Sequence, residues 1–187
     1  MKVFLIRHGE SEANKNGIIC GWLDAHLTEK GKEDAKLAKA VLSNVTFDKI
    51  YTSDLIRAKE TANIALPNMQ TESTPLLREI NVGDLQGKKF ADFPNEREIF
   101  LTNGYKAYNG ESRDDLFDRV NQFKKMLEDK DYENVAVFAH AGVLRSFLNN
   151  VLKTKIDAKT IFCKNCNVAI FDYSNGVWKL HSWINLS

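Results

Sequence analysis

An arginine, a histidine and a glycine in succession, directly after an apolar run, are the first residues of this chain that could do chemistry. Val3-Phe4-Leu5-Ile6 reads as a short buried strand that delivers Arg7, His8 and Gly9 to its C-terminal end, where α/β sheets place their sites. An imidazole there can act as a nucleophile and a guanidinium as an anion clamp. Glycine lacks Cβ, so backbone amides beside it can approach an oxyanion closely. Further residues stand at apparent element ends. Arg57 follows Tyr51-Thr52-Ser53-Asp54-Leu55 and falls in the first turn of an expected helix, where free amides and the macrodipole attract anions. His140 follows Val137-Phe138-Ala139 and precedes Ala141-Gly142, which repeats the order strand, histidine, glycine. Glu79 follows Pro75-Leu76-Leu77-Arg78. Taken singly, Arg57 reads as a surface arginine, His140 as a structural histidine and Glu79 as a solvated loop carboxylate. Paired strand-end histidines with these partners point instead to a site.

The elements that must position these residues alternate between strand and helix. Lys2 to Ile6 is the first expected strand. Thr28 is placed as the N-cap of a helix to about Leu42, with Ala35, Ala38, Val41 and Leu42 on one face. Lys49-Ile50-Tyr51 reads as a short strand ending at Thr52-Ser53, and Asp54 to Leu66 as a helix stopped by Pro67. Residues 72–77 read as extended. The stretch 80–112, with Gly83, Gly87, Pro94, Gly104 and Gly110, is expected to be a loop with short helices that borders the site. Asp114 to Leu127 reads as an amphipathic helix, Asn134 to Ala139 as a buried strand, and Val143 to Leu152 as the next helix. Ala169-Ile170-Phe171 and Val177-Trp178-Lys179-Leu180 flank Asn175-Gly176, a hairpin signal. No repeat, low-complexity tract or linker interrupts this order, so residues 1–187 are expected to form one domain.

Composition narrows the function classes. With 187 residues, 43% of them apolar, the chain can bury a full core. A net charge of +1, from 26 basic and 25 acidic residues, provides no global field for nucleic acid or a membrane surface. Anion recognition must therefore be local. Apolar runs fall far short of the ~20 residues of a membrane span. Met1-Lys2 leads straight into a strand with no secretory signal, and three cysteines, an odd number, fit a reducing cytoplasm better than a disulfide framework.

Leu5-Ile6-Arg7-His8-Gly9-Glu10-Ser11 with Asn14, Tyr51-Thr52-Ser53-Asp54-Leu55 with Arg57-Ala58 and Thr61-Ala62, Leu77-x-Glu79 with Gly83 and Gly87, Gly110-Glu111-Ser112, and His140-Ala141-Gly142 occur in that order. This set resembles the histidine phosphatase superfamily, in its phosphoglycerate mutase-like branch. The resemblance implies an α/β fold, a three-layer α/β/α sandwich around a mostly parallel sheet. It implies a phosphohistidine intermediate, no metal and no other cofactor. By the same resemblance His8 is the nucleophile, while Arg7, Arg57 and His140 surround the phosphoryl oxygens and Asn14 adds a donor. Gly21 and Ala141 fall among the substrate- and phosphate-binding positions. Glu79 would protonate the leaving alcohol and then serve as base on the hydrolytic water. Glu10 and Ser11 match the motif in a supporting role. The implied partner is a small phosphorylated metabolite; the oligomeric state stays open.

Features of the sequence pull in different directions within that family. Gly21-Trp22-x-Asp24-Ala25-x-Leu27-Thr28 is similar to the substrate-holding stretch of phosphoglycerate mutases. Against this, the segment between Glu79 and Gly110 lacks a long basic insertion, and Ile80-Asn81-Val82-Gly83 stands where mutases carry Arg-His-Tyr-Gly. The shorter pattern resembles broad-specificity and α-ribazole phosphatases. A phosphomonoester hydrolase is the reading adopted; a cofactor-dependent phosphoglycerate mutase and an inactive phosphate-binding protein on the same fold are the alternatives. Lys88, Lys89, Arg97 and Lys106 are the cations of that segment. Cys163-x-x-Cys166 has metal spacing but no second ligand pair, so it reads as structural, and Cys20 falls near the site by family analogy. His26 and His181 have no evident partner in sequence, and Trp178 and Trp183 read as hairpin packing.

Overall fold

A computed structural model describes residues 1–186, with the side chain of Arg97 outside the described set. A six-stranded sheet has the order β3-β2-β4-β1-β5-β6. Its strands are β1 (Lys2–Arg7), β2 (Lys49–Ser53), β3 (Glu72–Thr74), β4 (Asn134–Ala139), β5 (Val168–Ser174) and β6 (Val177–Ile184). Pairings β1–β4, β2–β4 and β2–β3 are parallel. β5 runs antiparallel to both β1 and β6. Asn175 (φ 50°) and Gly176 (φ 75°) form the tight hairpin turn between β5 and β6. The expected mostly parallel sheet is present, with β5 as its reversed strand.

Alternation along the strands divides the core in two. Val3, Leu5, Val135, Val137 and Ala139 face helices α5 (Arg113–Glu128) and α6 (Ala141–Leu152), packing on Leu116, Val120, Phe123, Val143, Leu144 and Phe147. Phe4, Ile6, Ala136 and Phe138 face α2 (Glu29–Leu42) and α3 (Ile56–Ala65), packing on Ala35, Ala38, Leu42, Ala62 and Ala65. Helices therefore cover both sheet faces, as the three-layer expectation required. Thr28 caps α2 by accepting from the Gly31 amide.

Some boundaries differ from expectation for identifiable reasons. α3 begins at Ile56 rather than Asp54, because Asp54 pairs with Arg78 and the Ile56 amide donates to Asp24 Oδ1 at 2.9 Å. Its cap thus comes from a loop distant in sequence. Only Glu72–Thr74 of the segment 72–77 is strand; Pro75–Leu77 turn into a 3₁₀ helix whose Leu76 amide donates to Thr74 Oγ1. α6 begins two residues earlier than Val143, at Ala141. The short helix α1 (Glu12–Lys15) follows a capping box between Ser11 and Asn14, and α4 (Arg97–Thr102) lies in the irregular stretch with further 3₁₀ turns.

Candidate active site

Strand register brings the histidines together. β1 and β4 pair with Arg7 opposite Ala139, so the next residues, His8 and His140, leave adjacent strand ends side by side. Their ring centroids are 5.1 Å apart. Both side chains are buried. His8 Nδ1 lies 2.7 Å from the Gly9 carbonyl oxygen. That oxygen can only accept, so Nδ1 carries the proton and Nε2 presents its lone pair. His140 Nε2 lies 2.9 Å from Ser53 Oγ at the end of β2, while its buried Nδ1 has no partner among the described residues. Burial first, then the Arg57 and Arg7 charges, hold the His8 pKa well below the usual histidine value. Burial and Arg57 do the same to His140.

Close backbone approaches fix the loop after β1. A Cβ on Gly9 would lie 2.2 Å from the Gly31 carbonyl oxygen, and one on Gly31 would lie 2.0 Å from that of Glu10. Glycine at both positions lets the histidine loop press against the first turn of α2. The Gly9 amide donates to Thr61 Oγ1, and that hydroxyl donates to the Arg57 carbonyl. Glu10 accepts from the Thr28 hydroxyl, and Ser11 caps α1, so both support the loop.

The flanking arginines are held by carbonyls rather than carboxylates. Arg7 Nη1 donates to the Cys163 carbonyl, its buried Nε has no partner among the described residues, and burial lowers its pKa. Cys163 and Cys166 are buried free thiols; the Cys163 backbone thereby orients Arg7. Arg57, only 1% exposed, donates from Nη2 to Gly21 O at 2.8 Å and from Nη1 to Leu23 O at 2.9 Å. Gly21 has φ +47°, and a Cβ there would lie 2.5 Å from a Val82 methyl. Asn14 accepts at Oδ1 from the Ser11 amide and the Asn165 side chain, which leaves its Nδ2 donors for a ligand.

Glu79 is positioned from several directions. Oε1 accepts from the Ile80 amide at 2.9 Å and Oε2 from the Gly142 amide at 3.2 Å. The Glu79 carbonyl accepts from Trp22 Nε1 at 2.7 Å and from Arg119 Nη2 at 3.3 Å. Arg119 also donates to the Pro75, Leu76 and Arg78 carbonyls and engages both carboxylate oxygens of Glu111. Glu111 in turn accepts from the Asn81 amide. The Gly110-Glu111-Ser112 motif thus carries the Arg119 clamp and, through Ser112, the N-cap of α5.

Arg7, His8, Asn14, Gly21, Arg57 and Glu79 line one cavity of about 630 Å³. His140, fully buried against His8, is not among the residues that line it. Ala141 opens α6, and its neighbour Gly142 is the residue that lines the cavity. Cys20 lines it too; burial raises its thiol pKa. Lys88, Lys89 and Lys106 do not line it: Lys88 sits over the Phe93 ring and Lys106 pairs with Asp115. The Arg97 side chain lies outside the described residues. The additional cations are Arg113, which opens α5, and Arg145, in the second turn of α6, beside an apolar wall of Ile19, Val82, Phe93, Phe100 and Tyr105. Sequence reading missed both; a cation five residues after His140 on a helix was the available signal for Arg145. His26 and His181, expected without partners, pair with Glu60 and Asp172 on the surface. Trp178 packs edge-on against Phe147, and Trp183 donates to the Phe162 carbonyl, as expected for the hairpin.

Comparison with known proteins finds relatives over most of the chain. A family model described as the histidine phosphatase superfamily (branch 1) matches residues 3–186. The adenosylcobalamin/alpha-ribazole phosphatase of Escherichia coli (strain K12) is 30% identical over 171 residues, covering 84% of this chain and 82% of the relative. Phosphoglycerate mutase 3 of Saccharomyces cerevisiae is 32% identical over 143 residues, covering 70% of this chain and 47% of the relative. Among solved structures, Bacillus stearothermophilus YhfR superposes with a TM-score of 0.86 at 27% identity, covering 96% of this chain and 94% of that one. With a family match over nearly its whole length, the chain belongs to the histidine phosphatase superfamily, branch 1.

Proposed function

We propose that the protein hydrolyses small phosphomonoesters through a phosphohistidine on His8. The observation that carries this reading is the His8 tautomer: Nδ1 is committed to the Gly9 carbonyl, so Nε2 is the nucleophilic nitrogen, beside a cavity lined by Arg7, Arg57 and Glu79. In the first step the Nε2 lone pair attacks phosphorus and the P–O ester bond breaks. Its electrons leave with the alkoxide, which takes a proton from Glu79. In the second step water attacks phospho-His8, gives a proton to Glu79, and the P–N bond electrons return to Nε2. Arg7, Arg57 and the Nδ1 edge of His140 stabilise charge on the phosphoryl oxygens in both steps, and Asn14 adds a donor. Gly21 holds Arg57 through its carbonyl, and the Ala141 amide at the start of α6 is a further phosphate donor.

Hydrolysis rather than mutase chemistry is supported by the work that the Gly21-Trp22 stretch already does. Trp22 holds the Glu79 carbonyl and stacks under Arg78, and Asp24 caps α3. That stretch therefore has a structural reason in this chain that needs no phosphoglycerate. Residues 1–187 act as one unit in this reading, Ser187 lying outside the described residues. Three free cysteines support placement in a reducing cytoplasm. Among the described residues, no helix is long and apolar enough to cross a membrane.

Rapid quench with a ³²P-labelled phosphomonoester tests the mechanism. Label is expected on His8 in an acid-labile, base-stable bond, and His8→Ala is expected to lose ~10³-fold or more in turnover. Near-normal activity of His8→Ala overturns the mechanism. Efficient 2-/3-phosphoglycerate exchange without phosphate release overturns the choice of hydrolase.

A further inference from the structure

Two requirements on Gly9 pull against each other. It must be glycine, because a Cβ there would lie 2.2 Å from the Gly31 carbonyl oxygen. Its own carbonyl must also stay in place, because His8 Nδ1 is bonded to it at 2.7 Å. Glycine is the residue least able to hold that carbonyl still, since no side chain restricts its dihedral angles. The restraint has to come from the surroundings.

The peptide group between His8 and Gly9 is gripped at both ends. At the amide end, Gly9 N–H donates to Thr61 Oγ1 at 3.0 Å. An amide nitrogen only donates, so the hydroxyl accepts there and gives its own proton to the Arg57 carbonyl, at 2.7 Å. A threonine bonded to the carbonyl four residues back is ordinary in a helix. One that also accepts from a distant segment is a link. Thr61 is fully buried, so water does not compete for either bond. At the other end, the His8 carbonyl accepts from Asn165 Nδ2 at 3.1 Å and from the Cys166 amide at 3.3 Å. Both donors belong to the turn before β5, whose Cys163 carbonyl holds Arg7. Asn165 Nδ2 also reaches Asn14 Oδ1 at 3.3 Å. A peptide group is planar, so holding its two ends fixes the plane and restrains the backbone dihedrals on either side.

We infer that Thr61 and Asn165 are positioning residues for the nucleophile: together they lock the His8–Gly9 peptide, so that the Gly9 carbonyl holds the imidazole with Nε2 presented to substrate. This deepens the hydrolase reading and rests on it for the role of His8. Neither residue is among those that line the cavity, so each acts through His8. The same side chains reach two groups assigned to the phosphoryl oxygens, Thr61 through the Arg57 backbone and Asn165 through the Asn14 amide. Nucleophile and anion donors are thereby kept in register by one pair of links. A loosened nucleophile slows attack on every ester, whatever its leaving group. A displaced Glu79 slows alkyl esters most. The two defects are therefore separable.

Imidazole ¹⁵N NMR on the ligand-free protein reads the lock without turnover. Thr61→Val keeps the side-chain shape and removes the hydroxyl, and Thr61→Ser keeps the link. Asn165→Ala, at a half-buried position, removes the other grip with less demand on folding. The parent is expected to show His8 as one neutral form protonated at Nδ1. Thr61→Val is expected to show a mixture with the Nε2-protonated form, Asn165→Ala a smaller admixture, and Thr61→Ser the parental form. Turnover should fall ~10²-fold in Thr61→Val and ~10-fold in Asn165→Ala, the scale of a misplaced reacting group, and by the same factor on p-nitrophenyl and alkyl phosphates. Thr61→Ser should restore most of it. Parental tautomer and turnover in either folded variant overturn the lock, as does a loss confined to alkyl phosphates. A tautomer mixture in the variants of a protein that never carries label on His8 overturns the hydrolase reading and leaves the lock standing.

Discussion

Gly142 lies so close to the Glu79 carboxylate that a Cβ on it would come within 2.1 Å of Oε1. The Gly142 amide also donates to Oε2 of the same side chain. The glycine after His140 is therefore a condition for where Glu79 sits. Gly142→Ala is expected to displace the end of the Glu79 side chain rather than backbone, so the fold should survive. Turnover of alkyl phosphates should fall by ~10²-fold, the scale of losing a positioned general acid. Glu79→Gln should behave alike, and both variants should lose far less with p-nitrophenyl phosphate, whose leaving group needs little protonation. Parallel losses on both substrates would remove Glu79 from the acid role.

Arg119 gathers the segment that carries Glu79. Its guanidinium donates to the carbonyls of Pro75, Leu76, Arg78 and Glu79 while paired with Glu111. A lysine ammonium cannot reproduce that fork. Arg119→Lys is expected to cost ~2–4 kcal/mol of stability, because a largely buried carboxylate and several carbonyls lose partners. It should also widen the rate gap between p-nitrophenyl and alkyl phosphates, as a misplaced acid would. Lost stability with an unchanged gap would make Arg119 structural only.

The motifs of Arg7-His8-Gly9, Arg57, Glu79 and His140 were legible because each sits at the end of a patterned element. Val3-Phe4-Leu5-Ile6 was legible as a buried strand, but the layer each residue faces was not, because all four are apolar and only the packed helices separate Phe4 and Ile6 from Val3 and Leu5. What escaped depends on contacts distant in sequence. Asp24 caps α3 across the chain, so no local cap marked its start. Gly142 weakens helical patterning at the start of α6, yet it is required there by Glu79. Arg113, Arg119 and Arg145 look alike in sequence as helix arginines. Only packing tells a clamp on carbonyls from a cation facing a cavity.

Charge at the site comes from guanidinium groups, and among the described residues no three His, Cys, Asp or Glu side chains gather as a metal-ligand set. Exhaustive dialysis against EDTA is therefore expected to leave turnover intact. Orthovanadate, which adopts the five-coordinate geometry of phosphoryl transfer, should inhibit competitively and far more tightly than inorganic phosphate. Activity lost in EDTA and restored by Zn²⁺ or Mg²⁺ would refute the guanidinium-based account.

Acid should act on stability before it acts on the nucleophile. His8 and His140 are held neutral in the fold, chiefly by burial and next by the Arg57 charge, with pKa values well below the ordinary value of 6.5. The unfolded chain titrates its histidines near ~6.5. Below that pH the unfolded state takes up protons that the folded state refuses, so stability declines as pH falls and stops declining only below the folded-state pKa values. The limiting slope is ~1.4 kcal/mol per pH unit for each histidine. Asp115, held at about 2 by the Ser112 cap and Lys106, adds its own loss only at lower pH, below the usual carboxylate range. Urea unfolding at intervals from pH 7 to pH 5 should therefore show a decline that His140→Asn makes shallower. Over the same interval the acid limb of kcat/KM should be absent, since neutral His8 persists to well below pH 6.5. An activity loss centred near pH 6.5, or a stability flat from pH 7 to pH 5, would mean that the histidine pair is not held neutral by its burial.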